Sequence, residues 1–263
     1  MSEYEVYAVR YGEHKNRPPS INFLGSDPHD GPMDMDFFVW VVSGGGHTFV
    51  IDTGFETETG VRRGRTVTRP VADGLKTLGL DFSSINDVIV THMHYDHAGN
   101  HDLFPNARYH MQEREMHFCT GSCMCHSHLK RPFEVDDVLA MVKRLYEGRV
   151  TFHDGSSEIA PGLSVHWTGG HSAGLQIVRV LTRRGYVVLA SDASHYYENF
   201  MKQRPFPTLV SVEDTLRGYD TLNKLATSQS HIVPGHDPLV MTRYPAFKDG
   251  LDGIVRLDVD PTE

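Results

Sequence analysis

Along this chain, short runs of apolar residues alternate with polar punctuation, and most runs have the length and residue types of strands. Val, Ile, Phe and Tyr gather at residues 5–11, 37–42, 48–51, 87–90, 107–111, 163–167, 176–181 and 186–190. Side chains of these types fill a pleated, buried surface well, and such runs bounded by Gly, Pro, Asn and Ser read as strands. Ser43-Gly44-Gly45-Gly46 and Arg183-Arg184-Gly185 supply the positive-φ positions of tight turns, so the runs flanking each are expected to pair antiparallel. Helical spacing is clearest over 135–146. There Val135, Val138, Leu139, Val142, Leu145 and Tyr146 would form the buried stripe and Asp136, Asp137, Lys143 and Arg144 the wet one, with Gly148 as the stop. Weaker helical patterns cover 71–78 and 212–227. Strands dominate each half and helices fall between and after them. The expected fold class is α+β, packed sheets covered by helices, in one domain over residues 1–263 with a helical insertion at about 112–148. No linker, 20–50-residue repeat or low-complexity tract interrupts it. Pro- and Gly-rich stretches at 18–32 and 204–207 are expected to be surface loops, and loops of this kind often cover a binding site.

Four of the apolar runs stop at residues of one chemical type. Val88-Ile89-Val90 leads into His92-Met93-His94-Tyr95-Asp96-His97, and the same grammar recurs where strand-like runs end before His171, Asp192 and His236. Imidazole and carboxylate are the ligands that zinc and similar divalent cations prefer, while both are poor residues for continuing a strand. If these strands lie side by side, their ends converge and the seven side chains meet at one edge of the sheets. One zinc ion takes about four protein ligands at most, so five histidines and two aspartates suggest two ions sharing a bridge. His166 and His231, inside strand-like runs, are expected to be ordinary hydrogen-bonded packing residues. A second collection, Cys119, Cys123, Cys125, His126 and His128, lacks the paired C-x2-C spacing of structural zinc sites and is read as a loop with reduced cysteines.

Composition narrows the function classes. The net charge of −9 over 263 residues argues against a nucleic-acid footprint and disfavours polyanionic substrates, although an acidic average leaves room for a local basic patch. Three crowded cysteines make a poor disulfide framework and fit a reducing compartment. Residues 1–20 show no basic-then-apolar leader, and no run approaches the roughly 20 apolar residues that span a bilayer, so a soluble, cytoplasmic protein without a membrane partner is expected. Oligomeric state leaves no mark in the sequence, and a homodimer stays open.

The ligand pattern resembles the metallo-β-lactamase superfamily, whose HxHxDH motif stands here at His92, His94, Asp96 and His97, with Asp52-Thr53-Gly54 similar to its early acidic motif. The resemblance extends from Asp52 to His236. It implies a four-layer αβ/βα sandwich with the site along one edge. It also implies that His92, His94 and His171 hold one ion, Asp96, His97 and His236 the other, and that Asp192 bridges them. Asp52 would then orient a ligand imidazole. The aspartate at 192 with both His97 and His236 separates the chain from zinc β-lactamases, which use a cysteine in the second site. His94 stands where flavodiiron proteins carry glutamate. Ser191-Asp192-Ala193-Ser194-His195-Tyr196-Tyr197-Glu198-Asn199-Phe200 is similar to the segment following the bridging aspartate of N-acyl homoserine lactone lactonases. Those enzymes often carry a tyrosine three residues beyond that aspartate. Here His195 occupies the position, and the donor to the substrate carbonyl is left open between His195 and the following Tyr196 and Tyr197.

The chemistry implied is hydrolysis by two divalent cations, with Zn2+ the expected metal, roughly 3.5–4 Å apart and sharing a hydroxide that attacks an ester carbonyl, with Asp96, Asp192, His195 and Tyr197 as the catalytic set. The expected substrate is a lactone, in the first place an N-acyl homoserine lactone. Another lactone, an ester, a thioester of the glyoxalase II type, an organophosphate, or a non-catalytic role in zinc binding are the alternatives. Phe23, Leu24, Met33, Met35, Phe37, Phe206 and Pro207 are candidates for an apolar wall around an acyl chain.

Overall fold

In the computed structural model the described residues are 3–27 and 29–262; Met1 and Ser2 of the chain start, Pro28 of the 18–32 loop, and Glu263 lie outside them. Among the described residues the strands are β1 (Glu5–Arg17), β2 (Met33–Gly44), β3 (His47–Ile51), β4 (Thr66–Val67), β5 (Asp87–Ile89), β6 (Arg108–Gln112), β7 (Val150–His153), β8 (Ser156–Ala160), β9 (Leu163–Trp167), β10 (Gln176–Thr182), β11 (Gly185–Ser191), β12 (Ile232–Pro234) and β13 (Ile254–Arg256). The α-helices are α1 (Thr57–Arg62), α2 (Val71–Thr77), α3 (Glu113–Thr120), α4 (Ser127–Lys130), α5 (Val135–Tyr146), α6 (Tyr197–Lys202), α7 (Val212–Leu225) and α8 (Leu239–Arg243). None is long and apolar enough to cross a membrane.

The strands form two sheets. The larger runs β13-β1-β2-β3-β5-β6-β7 with β4 beside β1, and the smaller runs β12-β11-β10-β9-β8. Both expected hairpins are antiparallel: β2 pairs with β3 across Gly45 (φ 60°) and Gly46 (φ 81°), and β10 with β11 at Thr182 and Gly185 (φ 109°). A two-residue loop with both φ positive is the turn that matches the twist of its flanking strands, and glycine enters it without strain. From β3 onward the larger sheet is parallel, and α3, α4 and α5 fill the crossover between β6 and β7.

Strands of the larger sheet are apolar on both faces because both faces are covered. Val6, Ala8, Phe38, Trp40 and Val42 point between the sheets, where they meet Val165, Ile177, Val178 and Leu189. Their neighbours Tyr7, Val9, Phe37, Val39 and Val41 point the other way, toward Leu75 of α2, Met116 of α3 and Met141 of α5. Each fully buried large side chain contributes roughly 1.5–3 kcal/mol relative to exposure. Periodicity missed β4, β7, β8 and β13: β7 and β8 are outer strands of their sheets, half-buried and carrying Thr, His, Ser and Glu, so their apolar signal is weak, and β4 and β13 are only two and three residues long.

Helix α5 has the expected bounds but a rotated face. Val138 and Met141 are buried, whereas Val135, Leu139 and Tyr146 are 67%, 58% and 88% exposed. Arg144, expected in water, is buried. Its Nη2 donates to the His101 carbonyl at 2.6 Å, and its guanidinium lies over the Tyr109 ring. The long apolar stem of arginine packs like a core side chain once its head finds carbonyl acceptors.

Candidate metal centre

Strand direction explains why distant residues meet. β3 and β5 run parallel in one sheet, and β9, β11 and β12 run in a common direction in the other, since β9 and β11 both oppose β10 and β12 is parallel to β11. Their C-terminal ends carry Asp52, the 92–97 segment, His171, Asp192 and His236. Thr91 ties the two edges together, its Oγ1 2.8 Å from Asp52 Oδ2 and 2.9 Å from Ser191 Oγ. The backbone turns out of the sheets abruptly: Asp52 (φ 59°) and Ser191 (φ 45°) are left-handed, a conformation non-glycine residues hold only where surrounding contacts fix it. Gly235 allows the last ligand loop to approach, because a Cβ there would lie 2.6 Å from the Ser191 backbone.

Asp192 sits between two sets of imidazoles. Its Oδ1 lies 2.9 Å from His236 Nε2 and 3.1 Å from His97 Nε2, while its Oδ2 lies 3.1 Å from His171 Nε2 and 3.0 Å from His195 Nε2. His94 Nδ1 is 2.9 Å from His171 Nε2, and Asp96 Oδ2 is 3.8 and 3.9 Å from His97 and His236 Nε2. Ligand atoms of His92, His94 and His171 lie within 4.8 Å of one another, as do those of Asp96, His97 and His236, and those of His92, His97 and Asp192. The structure thus brings together all seven ligand-type residues singled out in the sequence. Burial, reinforced by neighbouring imidazoles, holds His92 and His94 well below the ordinary histidine pKa, so both present the neutral ring that ligation requires. At His97 burial works in the same direction, but Asp192, Asp96 and Asp52 outweigh it and hold the ring above its ordinary value.

The donor set fits two divalent cations. His92 buries an Nε2 with no hydrogen-bond partner among the described residues, aimed into this cluster, and an unpaired buried nitrogen is costly unless something electropositive faces it. The far sides of the rings are held. Asp52 Oδ2 lies 2.7 Å from His97 Nδ1 and its Oδ1 accepts the Thr91 N–H, while His236 Nδ1 donates to the Asp36 carbonyl. Glu115 was not singled out in the sequence. It is fully buried on α3, accepts the Met93 N–H at 2.9 Å through Oε1, and takes the Ser172 hydroxyl and Gly174 N–H through Oε2. It therefore ties the loop of His92 and His94 to the loop of His171. A glutamate in the first turn of an amphipathic helix carries no distinctive sequence signal.

A cavity of about 500 Å³ opens on this cluster and is lined by His94, Asp96, His171, Asp192, His195 and His236 among others. His195 lies in its wall, stacked on Phe206 with ring centroids 3.5 Å apart, and burial pulls its pKa down to about 3, which leaves a neutral ring. Tyr197 is not brought to the cavity. It is the first residue of α6, and its ring packs into the core between the sheets with Arg243 above it, while its N–H donates to Asp237. Tyr196 is also turned away, its hydroxyl on Asn22 and its ring near Phe23. The expectation of a catalytic Tyr197 is corrected on this ground. Of the apolar candidates, Met35, Phe37, Phe206 and Pro207 line the cavity and Phe23, Leu24 and Met33 do not. His166 is held by Ser156 and Ser164, and His231 by Ser228 and the Arg184 carbonyl, as packing residues. No grouping of ligand-type atoms among the described residues includes the 119–128 cysteines or histidines.

Known proteins share this arrangement of sheets and edge. The chain is 27% identical to the N-acyl homoserine lactonase AttM of Azorhizobium caulinodans, across 94% of this chain and 97% of that protein. Its fold superposes with a TM-score of 0.78 on the crystal structure of a quorum-quenching N-acyl homoserine lactone lactonase, at 22% identity over 94% of this chain and 98% of the other. It superposes with a TM-score of 0.70 on AidC, a dizinc quorum-quenching lactonase, at 14% identity over 90% and 88% of the two chains. The sequence profile of the metallo-beta-lactamase superfamily matches residues 38–243, spanning every strand end that feeds the histidine and aspartate cluster, and the chain belongs to that superfamily.

Proposed function

We propose that this protein is a dinuclear metal-dependent hydrolase that opens the ring of N-acyl homoserine lactones. The observation that carries the reading is Asp192, whose two oxygens face separate imidazole sets at 2.9–3.1 Å. The relatives that match along nearly their whole length are lactonases acting on these compounds. His92, His94 and His171 would hold one ion and Asp96, His97 and His236 the other, with Asp192 shared and Zn2+ the metal that this donor set and the dizinc relative favour. When bound, two such cations lower the pKa of a shared water and polarise an ester carbonyl.

The chain's own groups then supply position and proton handling. Asp52, Glu115 and the Asp36 carbonyl fix the rings and loops, so the ligand atoms are placed before substrate arrives. Asp192, between the two sets, is the carboxylate placed to receive a proton released by the attacking water. His195 lies in the cavity wall with Nε2 3.0 Å from Asp192 Oδ2, and once Asp192 engages the cations its ring N–H would be free to donate to the oxygen that gains charge as the carbonyl is attacked. Met35, Phe37 and Phe206 exclude water around the ester.

The test is hydrolysis of N-hexanoyl-homoserine lactone followed by acid release, with metal content measured on the same preparation. Turnover with about two equivalents of Zn2+ per chain supports the reading. Full occupancy with no turnover on lactones overturns it.

A further inference from the structure

Beside the imidazoles and carboxylates, the same cavity is lined by guanidinium groups. Arg17 reaches it from the end of β1, Arg63 and Arg65 from the turn after α1, and Arg131 from the segment between α4 and α5. One of the four is already neutralised: Arg63 Nε donates to Glu134 at 2.6 Å and its other nitrogens to the Arg131 and Phe133 carbonyls. The other three form no ion pair with a described carboxylate. Arg17 is only 6% exposed, yet its partners are all neutral: Asn22 Oδ1 at 2.8 Å, the Ile21 carbonyl at 2.9 Å and His14 Nδ1 at 3.0 Å. Arg65 Nε donates to the Tyr95 hydroxyl at 2.9 Å, leaving its terminal nitrogens without a described partner. The Arg131 side chain has none.

A desolvated cation with no counter-ion is costly, and closing an alkyl chain over it would raise that cost, because its charge would lose its remaining water. An anion on the ligand reverses the balance, and the planar guanidinium fork matches a carboxylate or phosphate in two parallel hydrogen bonds. His14 adds no competing positive charge. Burial first, then Arg65 and Arg17, pull its pKa down to about 4, so its Nδ1 accepts from Arg17 at neutral pH. The chain's overall charge of −9 conceals this basic corner, the kind of local patch that an acidic average leaves room for.

We propose that Arg17, Arg65 and Arg131 form a subsite for an anionic group, a carboxylate or a phosphate, on the substrate whose ester is cleaved at the metal centre. Resting on the lactonase reading above, this makes the preferred substrates lactones whose acyl portion ends in an acid. The metal-loaded enzyme is given N-hexanoyl-, N-adipoyl- and N-(6-phosphohexanoyl)-homoserine lactone, which share a six-carbon acyl chain and differ at its end. An acidic end is expected to raise kcat/KM by about tenfold to a hundredfold, the scale of one or two charge-assisted hydrogen bonds. The better of the two acids identifies carboxylate or phosphate as the group. Arg65→Met and Arg131→Met, at less buried positions than Arg17, are each expected to pull the acid-to-alkyl ratio toward one. A hexanoyl lactone turned over as well as both acids, or a ratio indifferent to both substitutions, overturns the subsite. Should no lactone turn over, the lactonase reading falls, and binding to the metal-loaded protein decides the subsite separately. Adipate at least tenfold tighter than hexanoate supports it, and equal Kd values overturn it.

Discussion

Two stretches of this chain are rich in metal-competent side chains, and only one of them becomes a candidate centre. The 92–97 segment and the 119–128 segment are comparably dense in ligand types. The first leaves the end of a buried parallel strand and meets the ends of β9, β11 and β12, so its residues are at most 8% exposed and their ligand atoms converge. The second lies on short helical turns at the surface. Cys125 is exposed, Cys119 is buried apart with its thiol on the Met116 carbonyl, and of the whole group only His128 reaches the cavity. Ligand chemistry is a property of residue types, but a ligand cluster is a property of where strands end.

That contrast can be broken most sharply at Asp192, the carboxylate between the two imidazole sets. Asp192→Asn or His94→Ala is expected to lower kcat/KM by about a thousandfold or more and to reduce bound metal, since each removes charge stabilisation worth several kcal/mol. Full metal content and rate in either variant would falsify the ligand assignment. Stripping metal with a chelator should lower the melting temperature, because ions that bind only the folded state stabilise it by about 4 kcal/mol when present at a thousand times their Kd. An unchanged melting curve would mean that the cluster does not hold metal in the folded protein. Smaller effects belong to the residues behind the ligands. Asp52→Asn and Glu115→Gln are each expected to cost about tenfold to a hundredfold in activity or metal affinity, and kinetics with metal analysis on the same sample will separate the two. His195→Phe should lower kcat about tenfold while two metals stay bound, as for the loss of one donor in the transition state.

The surface segment is expected to respond least. Cys123→Ser with Cys125→Ser should leave metal stoichiometry at two, and a drop would place a third ion there. Cys119 behaves differently from its neighbours. Burial, with Glu115 adding to it, pushes its thiol up to about 12, so at about pH 8 it stays protonated and native alkylation should label Cys123 and Cys125 but not Cys119. Labelling of all three in the folded protein would contradict the burial described.

The hairpins, the helix over 135–146 and the convergence of His92, His94, Asp96, His97, His171, Asp192 and His236 were legible because each depends on a local pattern of apolar run, turn and ligand type. What stayed hidden is tertiary. The face of α5 was misread because an arginine stem packs as apolar surface and periodicity counts it as charge. Tyr197 has the residue type of a catalytic donor, but it begins a helix that points it into the core. Glu115, Arg17 and Arg65 have no motif, and their roles exist only because segments far apart in sequence close around one cavity.

The parallel pairing of β12 with β11 has a consequence for the order of folding. His236 follows β12, which comes after α7 and is the last of the strands that lead to the cluster, so the cluster is completed only when β12 docks beside β11 from about forty residues further along the chain. Contacts closed over such long stretches form slowly, because loop closure must precede the interactions that reward it. Asp52 and the 92–97 segment therefore precede His171, Asp192 and His236 along the chain, and the cluster can close only once residue 236 is in place.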